Sequence, residues 1–105
     1  MFEYIKFDQE KGDNKEKDVV LLALSTCGFC KRAIAFLKKN RIAFRRVYID
    51  KLDPEIKQQL KDDFQKKFHF KMIYPLLILD EKETVTGFTT EKYKNSFGIT
   101  DTEEE

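Results

Sequence analysis

The sequence predicts a small α/β fold, a mixed sheet of four strands flanked by three helices, and three observations indicate it. The chain has 105 residues, of which 41% are hydrophobic, so we expect one domain with one small core. Continuous apolar runs at 19–24 and 76–79 are typical of strands that are covered on both faces. Helical patterns follow the first run and precede the second, which is the order of elements in a layered α/β domain.

Composition excludes several functional classes. Charged residues make up 37% of the chain, yet the formal net charge is only +1, so no overall field favours nucleic acid or a membrane surface. Residues 1–11 are too charged for a signal peptide, and the longest apolar run is too short to span a bilayer. We therefore expect a cytoplasmic protein, and we take it to be a monomer. In that compartment a close cysteine pair is more often catalytic or metal-binding than structural.

Three regions are predicted along the chain. Residues 1–18 form an N-terminal extension, with a short strand at 2–7, where aromatic and β-branched residues concentrate, and a polar loop at 8–18. Residues 19–99 form the domain that carries the chemistry. Residues 100–105 form an acidic tail.

The first half of the domain alternates strands and helices. The strand at 19–24 is followed by a helix that is expected to stop near Asn40, a residue that tolerates a left-handed backbone. A second strand is predicted at 42–49. Asp53 and Pro54 then suit the cap and the first position of a second helix. Each helix has one apolar stripe, formed by Cys30, Ala33, Ile34 and Leu37 in the first and by Ile56, Leu60 and Phe64 in the second.

The second half of the domain is predicted as a hairpin followed by a helix. Pro75 opens the strand at 76–79, because proline is tolerated at the first residue of a strand. A polar turn at 80–82 leads to a short strand at 83–86, which Gly87 closes. Thr90 is expected to cap a last short helix that ends at Gly98.

Cys27 and Cys30, the only cysteines in the chain, lie where a buried strand gives way to a helix. A thiol attacks a disulfide only as its thiolate, and a helix start favours that anion because its backbone N–H groups are unpaired and the dipole is positive there. We therefore expect Cys27 to be the exposed nucleophile and Cys30, about one turn further on, to be the resolving thiol beneath it. Phe29 would offer an apolar surface beside the reacting sulfur, and Lys31 and Arg32 would add positive charge.

Other readings of the cysteine pair explain less. Two inert buried thiols would not account for the position at a helix start. A structural zinc site usually takes four ligands, and His69 is the only softer candidate beyond the cysteines, so we expect no metal site. His69 itself is interpreted as a solvated linker residue.

Three features together resemble the glutaredoxin family. They are Cys27-Gly28-Phe29-Cys30 at a strand–helix junction, the late Pro75 that opens a strand, and the turn Gly87-Phe88-Thr89-Thr90 before the final helix. The resemblance covers residues 19–99, most of the chain. It implies a thioredoxin fold, and it implies disulfide exchange with glutathione or with disulfide-containing proteins.

The resemblance also implies roles for individual residues. Cys27 would be the nucleophile and Cys30 the resolving cysteine. Pro75 would be a cis-proline that faces the active site, with the backbone of Tyr74 pairing to the substrate's peptide. The turn would receive the γ-glutamyl end of glutathione, whose carboxylate suits a helix N-terminus. The residues of that turn are Gly87, Phe88, Thr89 and Thr90.

The sequence departs from the family's common pattern at several of these positions. The middle pair is Gly28-Phe29 instead of Pro-Tyr, and the turn has Gly87-Phe88 instead of Gly-Gly. The Gly-Phe turn also resembles redoxins that are reduced by thioredoxin reductase, so the electron donor is either glutathione or such a reductase. No covalent cofactor is expected. An alternative function is a [2Fe–2S] carrier, because two copies of Cys27 and two glutathione molecules would supply the four thiolates that a cluster needs.

Overall fold

Residues 2–99 are described by a computed structural model, and they form a five-stranded sheet with three α-helices. The predicted tail at 100–105 lies outside the described residues. The sheet has the strand order β1-β3-β2-β4-β5. The elements in chain order are β1 (Asp8–Glu10), β2 (Val19–Ala23), α1 (Gly28–Lys39), β3 (Phe44–Tyr48), α2 (Pro54–Phe68), β4 (Leu76–Leu79), β5 (Glu83–Thr86) and α3 (Thr90–Phe97), with one turn of 3-10 helix at Ile49–Lys51.

The two continuous apolar runs form the centre of the sheet, as predicted. Every residue of β2 and of β4 is buried, because helices cover both faces of these strands. β2 pairs with β3 in parallel and with β4 in antiparallel orientation, so the sheet is mixed. β3 is shorter than the predicted 42–49, because Ile49 already belongs to the 3-10 turn.

Side chains alternate between the two faces of the sheet and divide the core into two clusters. Leu21 and Leu77 face α1 and α3, where Leu37 and Tyr93 are fully buried. Leu22 and Leu76 face α2 and the N-terminal segment. The predicted arrangement of helices on both faces is therefore confirmed.

The N-terminal strand exists, but its predicted position is wrong. Residues 2–7 form no strand, and the strand lies instead at Asp8–Glu10, which was predicted as loop. The apolar side chains of Phe2 and Ile5 are buried in the core that faces α2, so their aromatic and β-branched character reflects packing and not pairing. The β1 strand is charged because it is an edge strand, and Arg46 of β3 forms ion pairs with its acids.

The helix ends lie at the predicted residues or within one residue of them. Asn40 caps α1 at φ −91°, and the next residue, Arg41, adopts the left-handed backbone (φ 57°) that was expected near Asn40. Pro54 is the first residue of α2, and His69 ends that helix as an exposed residue with φ 66°. Gly98 ends α3 at φ 67°.

Candidate active site

The chain reverses sharply between β2 and α1, and Cys27 is the residue at which α1 begins. It has an extended backbone (φ −93°, ψ 121°), and its Sγ accepts a hydrogen bond of 3.2 Å from the backbone N–H of Cys30. A thiol therefore takes the place of the serine or aspartate that usually caps a helix. The side chain of Cys27 is partly exposed, and the first turn of α1 contains no acidic residue.

Cys30 lies one turn further along α1 and is fully buried. Its Sγ accepts a hydrogen bond of 3.5 Å from the backbone N–H of Leu24, the last residue before the turn. Burial, followed by the contact with Cys27, raises the pKa of the Cys30 thiol to about 12. The structure thus places a partly exposed cysteine beside a buried, neutral thiol, and both cysteines are free.

Phe29, between the two cysteines, points to solvent. Its side chain is 57% exposed, which is unusual for phenylalanine, and the guanidinium of Arg32 lies 5.5 Å from its ring centroid. Lys31 is exposed as well. The surface beside Cys27 therefore combines an apolar ring with two cations.

The segment before β4 lies beside this turn. Leu22 of β2 pairs with Leu76 of β4, so the residues that precede β4 are placed next to the residues that follow β2. The Tyr74–Pro75 peptide bond is cis, and Pro75 is buried. Burial, and then the proximity of Cys30, raises the pKa of the half-buried Tyr74 phenol. Ile73, the next residue back, is 55% exposed.

The turn between β5 and α3 lies at the same end of the sheet. Gly87 adopts φ 71°, a left-handed conformation that favours glycine, and its N–H donates to the carbonyl of Pro75 at 2.9 Å. Thr89, not Thr90, caps α3, because the Thr89 hydroxyl accepts from the N–H of Lys92. The prediction for Thr90 is therefore wrong by one residue, and Thr90 is the first residue of the helix.

The predicted site residues all lie at one end of the sheet. The ring of Phe88, however, packs into the protein. It packs against Phe36 at 6.0 Å and Tyr93 at 4.7 Å between centroids. That ring supports the core between α1 and α3. Thr89 and Thr90 are exposed.

The sequence analysis missed Ser25 and Asp50. The carboxylate of Asp50 accepts hydrogen bonds from both the backbone N–H (2.9 Å) and the hydroxyl of Ser25, in the turn directly before Cys27. A signal for this contact exists in the strand register. Ala23 pairs with Tyr48 in the parallel ladder, and Ser25 and Asp50 each follow those residues by two positions. Side chains at the carboxyl ends of parallel strands meet at one edge of a sheet.

Comparison with known proteins identifies the family. A family model described as Glutaredoxin matches residues 19–82, which is more than half of the chain. The chain belongs to the glutaredoxin family. No significantly similar protein was found among curated protein sequences.

Solved structures of two glutaredoxins and of a methanoredoxin share this fold. A glutaredoxin from Methanosarcina mazei Go1 superposes with a TM-score of 0.74 at 21% identity, covering 90% of this chain and 89% of its own. A glutaredoxin from Archaeoglobus fulgidus gives a TM-score of 0.65 at 29% identity, with 76% and 85% covered. Methanosarcina acetivorans methanoredoxin gives 0.66 at 24% identity, with 77% and 84% covered. The resemblance to this family is therefore confirmed, and so is the thioredoxin fold that it implies.

Residues 2–99 lack the features of two other kinds of site. No helix in this part of the chain is long and apolar enough to cross a bilayer. Within the same residues, no three histidine, cysteine, aspartate or glutamate side chains are grouped so that they could hold a metal ion.

Proposed function

We propose that this glutaredoxin is a dithiol oxidoreductase that reduces protein disulfides or glutathione mixed disulfides. Membership of the family supports thiol–disulfide exchange in general. The observation that carries the specific proposal is the position of Cys27, a partly exposed residue whose sulfur caps α1 and accepts a hydrogen bond from the backbone N–H of the buried Cys30. Backbone N–H groups at a helix start stabilise an anion, so this sulfur is suited to attack as a thiolate.

The proposed reaction moves two electrons to the substrate. The Cys27 thiolate attacks one sulfur of a disulfide, the other sulfur leaves as a thiolate and takes a proton, and a mixed disulfide remains on Cys27. Cys30 then loses its proton and attacks the Cys27 sulfur. The second substrate thiol leaves, and the Cys27–Cys30 disulfide forms. Two glutathione molecules, or a reductase of the thioredoxin-reductase type, return two electrons and two protons to restore both thiols.

The acidity of Cys30 supports this order of events. In the reduced protein its pKa is raised by burial and also by the hydrogen bond and charge of Cys27. Once the Cys27 sulfur is part of a mixed disulfide, its hydrogen bond and its charge no longer raise the pKa of Cys30, whereas burial still does. Cys30 therefore becomes a stronger acid after the first attack, when its thiolate is needed.

Two neighbouring surfaces support the choice of substrates. Phe29 and Ile73 are the large hydrophobic side chains that the described residues expose, and they flank Cys27 and the cis-proline segment. We propose that they contact the polypeptide of a protein substrate while the backbone of Tyr74 pairs with it. The turn from Gly87 to Thr90 would receive the γ-glutamyl carboxylate of glutathione, beside the N-terminus of α3.

Single cysteine variants test the roles of the two thiols. Cys27→Ser is expected to abolish reduction of both a protein disulfide and a glutathione mixed disulfide. Cys30→Ser is expected to abolish the first reaction and to retain the second, because free glutathione can resolve the mixed disulfide. Activity that survives in Cys27→Ser, with either substrate, would contradict the proposal.

A pair of substrates tests the surface residues. Phe29→Ala is expected to lower kcat/KM for a protein disulfide about tenfold and to leave a small glutathione mixed disulfide within about twofold, since a polypeptide would cover more of the exposed ring than a small disulfide does. Ile34→Ala is the control, because Ile34 lies on the same helix as Phe29 but packs against the core. Equal losses for both substrates would refute a polypeptide contact at Phe29.

The donor is tested by comparing rates. Oxidised protein is mixed with glutathione, and separately with NADPH and thioredoxin reductase, and the appearance of free thiols is followed.

We propose that the reaction takes place in the cytoplasm and that the protein acts as a monomer. Gel filtration of the reduced protein tests whether it is a monomer.

Cluster binding is the alternative function. With Cys30 fully buried, one chain offers one reachable sulfur, so a [2Fe–2S] cluster would need a second chain and two external thiols. Anaerobic reconstitution with iron, sulfide and glutathione separates the two functions. A stable, coloured dimer that Cys27→Ser fails to form favours the carrier, whereas a colourless monomer favours the oxidoreductase.

A further inference from the structure

The contact between Asp50 and Ser25 joins the ends of two parallel strands beside the dithiol. Asp50 follows β3 and lies in the 3-10 turn, whereas Ser25 lies in the short connection between β2 and Cys27. One carboxylate oxygen accepts from the Ser25 N–H at 2.9 Å and the other accepts from the Ser25 hydroxyl. Both oxygens of one side chain therefore hold a single residue.

This contact restrains the part of the chain that sets the position of Cys27. Between Ala23, the last residue of β2, and Gly28, the first residue of α1, lie four residues. Within this connection Cys27 N donates to the carbonyl of Leu24 at 3.3 Å. Fixing Ser25 to the 3-10 turn that follows β3 thus limits the movement of the turn that carries the reacting sulfur.

The carboxylate also contributes a negative charge close to the thiols. Hydrogen bonds from Ser25 hold the pKa of Asp50 below its usual value, so the group is ionised at neutral pH. Burial is the main cause of the raised Cys30 pKa, and the charge of Asp50 adds to it. Because the Cys30 thiol is itself neutral, the anion that this charge opposes is the thiolate proposed at Cys27, which exists in the reduced protein but not in the disulfide form.

We propose that Asp50 is a positioning residue for the dithiol, which holds the Ser25 turn in place and shifts the Cys27–Cys30 couple toward its disulfide form. The proposal rests on the oxidoreductase function proposed above. It gives Asp50 two separable effects, one through its hydrogen bonds and one through its charge.

Four variants separate these effects. Asp50→Asn removes the charge and keeps an oxygen that can accept from the Ser25 N–H. Ser25→Ala keeps the charge and removes the hydroxyl. Asp50→Ala removes both the charge and the oxygens that accept from Ser25. Asp53→Asn is the matched control, because Asp53 is an exposed acid three residues away whose side chain caps no helix amide.

Two measurements are made on each variant. The first is the equilibrium between dithiol and disulfide in glutathione buffers, and the second is the rate at which reduced Cys27 reacts with iodoacetamide. Asp50→Asn is expected to shift the equilibrium toward the dithiol by about threefold to tenfold, a rise in potential of about 14 to 30 mV. Ser25→Ala is expected to slow alkylation by about threefold to tenfold with the equilibrium constant changed less than twofold. Asp50→Ala is expected to show both effects, and Asp53→Asn neither.

The outcomes distinguish this inference from the function on which it rests. If both Asp50 variants match Asp53→Asn in equilibrium and in rate, the inference is overturned, even if they are less stable, because loss of a purely structural bond destabilises both redox forms equally. If the wild-type protein forms no Cys27–Cys30 disulfide, the proposed function fails. The alkylation rates, which need no disulfide exchange, still decide whether Asp50 positions Cys27.

Discussion

Cys30 should be almost unreactive in the folded, reduced protein, and the structure gives the size of the effect. Its sulfur is fully buried, and its pKa is raised from an ordinary value of 9.0 to about 12. At neutral pH the fraction of thiolate is therefore about a thousandfold smaller than in an unfolded chain, because each unit of pKa changes it tenfold. Since only the thiolate reacts with iodoacetamide, the labelling rate should fall by at least the same factor.

The perturbation is a rise in pH during a pulse of iodoacetamide short enough to leave most of Cys27 unmodified, followed by digestion and mass spectrometry of the two cysteines. From pH 7 to pH 10, labelling of Cys30 should increase about tenfold per pH unit without levelling off, since its pKa lies above this range. Cys27, which is partly exposed, should be labelled first throughout. The same protein unfolded in guanidinium is the control, and there both cysteines should react alike.

Two results would refute this reasoning. One is labelling of Cys30 in the folded protein as fast as in guanidinium, which would mean that the thiol is neither buried nor neutral. The other is a plateau in the Cys30 rate below about pH 9, which would mean an ordinary thiol pKa.

The same shift has a consequence for stability. Because the pKa of Cys30 is higher in the folded than in the unfolded chain, its contribution to stability is present below about pH 9 and is lost as pH rises toward about 12. The free energy of unfolding of wild-type protein should therefore fall more steeply over this range than that of Cys30→Ala. Parallel slopes in urea unfolding would contradict the buried, neutral thiol.

Three further predictions concern stability and are checked by urea unfolding. Gly12→Ala should lower the free energy of unfolding by about 1–3 kcal/mol, because an added Cβ would lie 2.5 Å from a backbone oxygen in the 41–43 segment. Gly28→Ala is its control, since among the described residues nothing beyond its chain neighbours and its own helix backbone lies within 4 Å of an added Cβ, and the helix should gain about 0.5–1 kcal/mol; a loss equal to that at Gly12 would rule out the steric cause. Tyr93→Phe should stabilise the protein by about 1 kcal/mol, because the buried Tyr93 hydroxyl has no hydrogen-bond partner among residues 2–99, and destabilisation would contradict this reason. Ile5→Ala should cost about 2–5 kcal/mol if the N-terminal segment belongs to the core, and an unchanged midpoint would show that it does not.

The sequence predicted those features that depend on neighbours along the chain. The runs that became β2 and β4 are buried on both faces, so their composition alone marks them as central strands. Pro54 and Gly98 suit a helix start and a helix end because their backbone preferences are local. The position of Cys27 at the start of α1 follows from the same local pattern, and so does the burial of Cys30 one turn later.

The N-terminal segment shows where such reasoning fails. Residues 2–7 have the composition of a strand, yet Phe2 and Ile5 pack beneath α2 and the Tyr4 hydroxyl donates to Asp63. The strand that pairs with β3 is instead Asp8–Glu10, and its acidic side chains form ion pairs with Arg46 of β3. Burial against a distant helix and pairing in a strand favour the same apolar residues, so composition does not distinguish them.

The sequence by itself determined the sheet's central strands, the order of the elements and the placing of two thiols at a helix start, because each depends on the preferences of adjacent residues. The tertiary structure alone decided that Asp50 holds Ser25, that the ring of Phe88 supports the core, and that Thr89 caps α3. Asp50 and Ser25 are separated by 25 positions, and only the parallel pairing of β2 with β3 brings them together. Contacts of this kind depend on strand register, which no local pattern in the chain specifies.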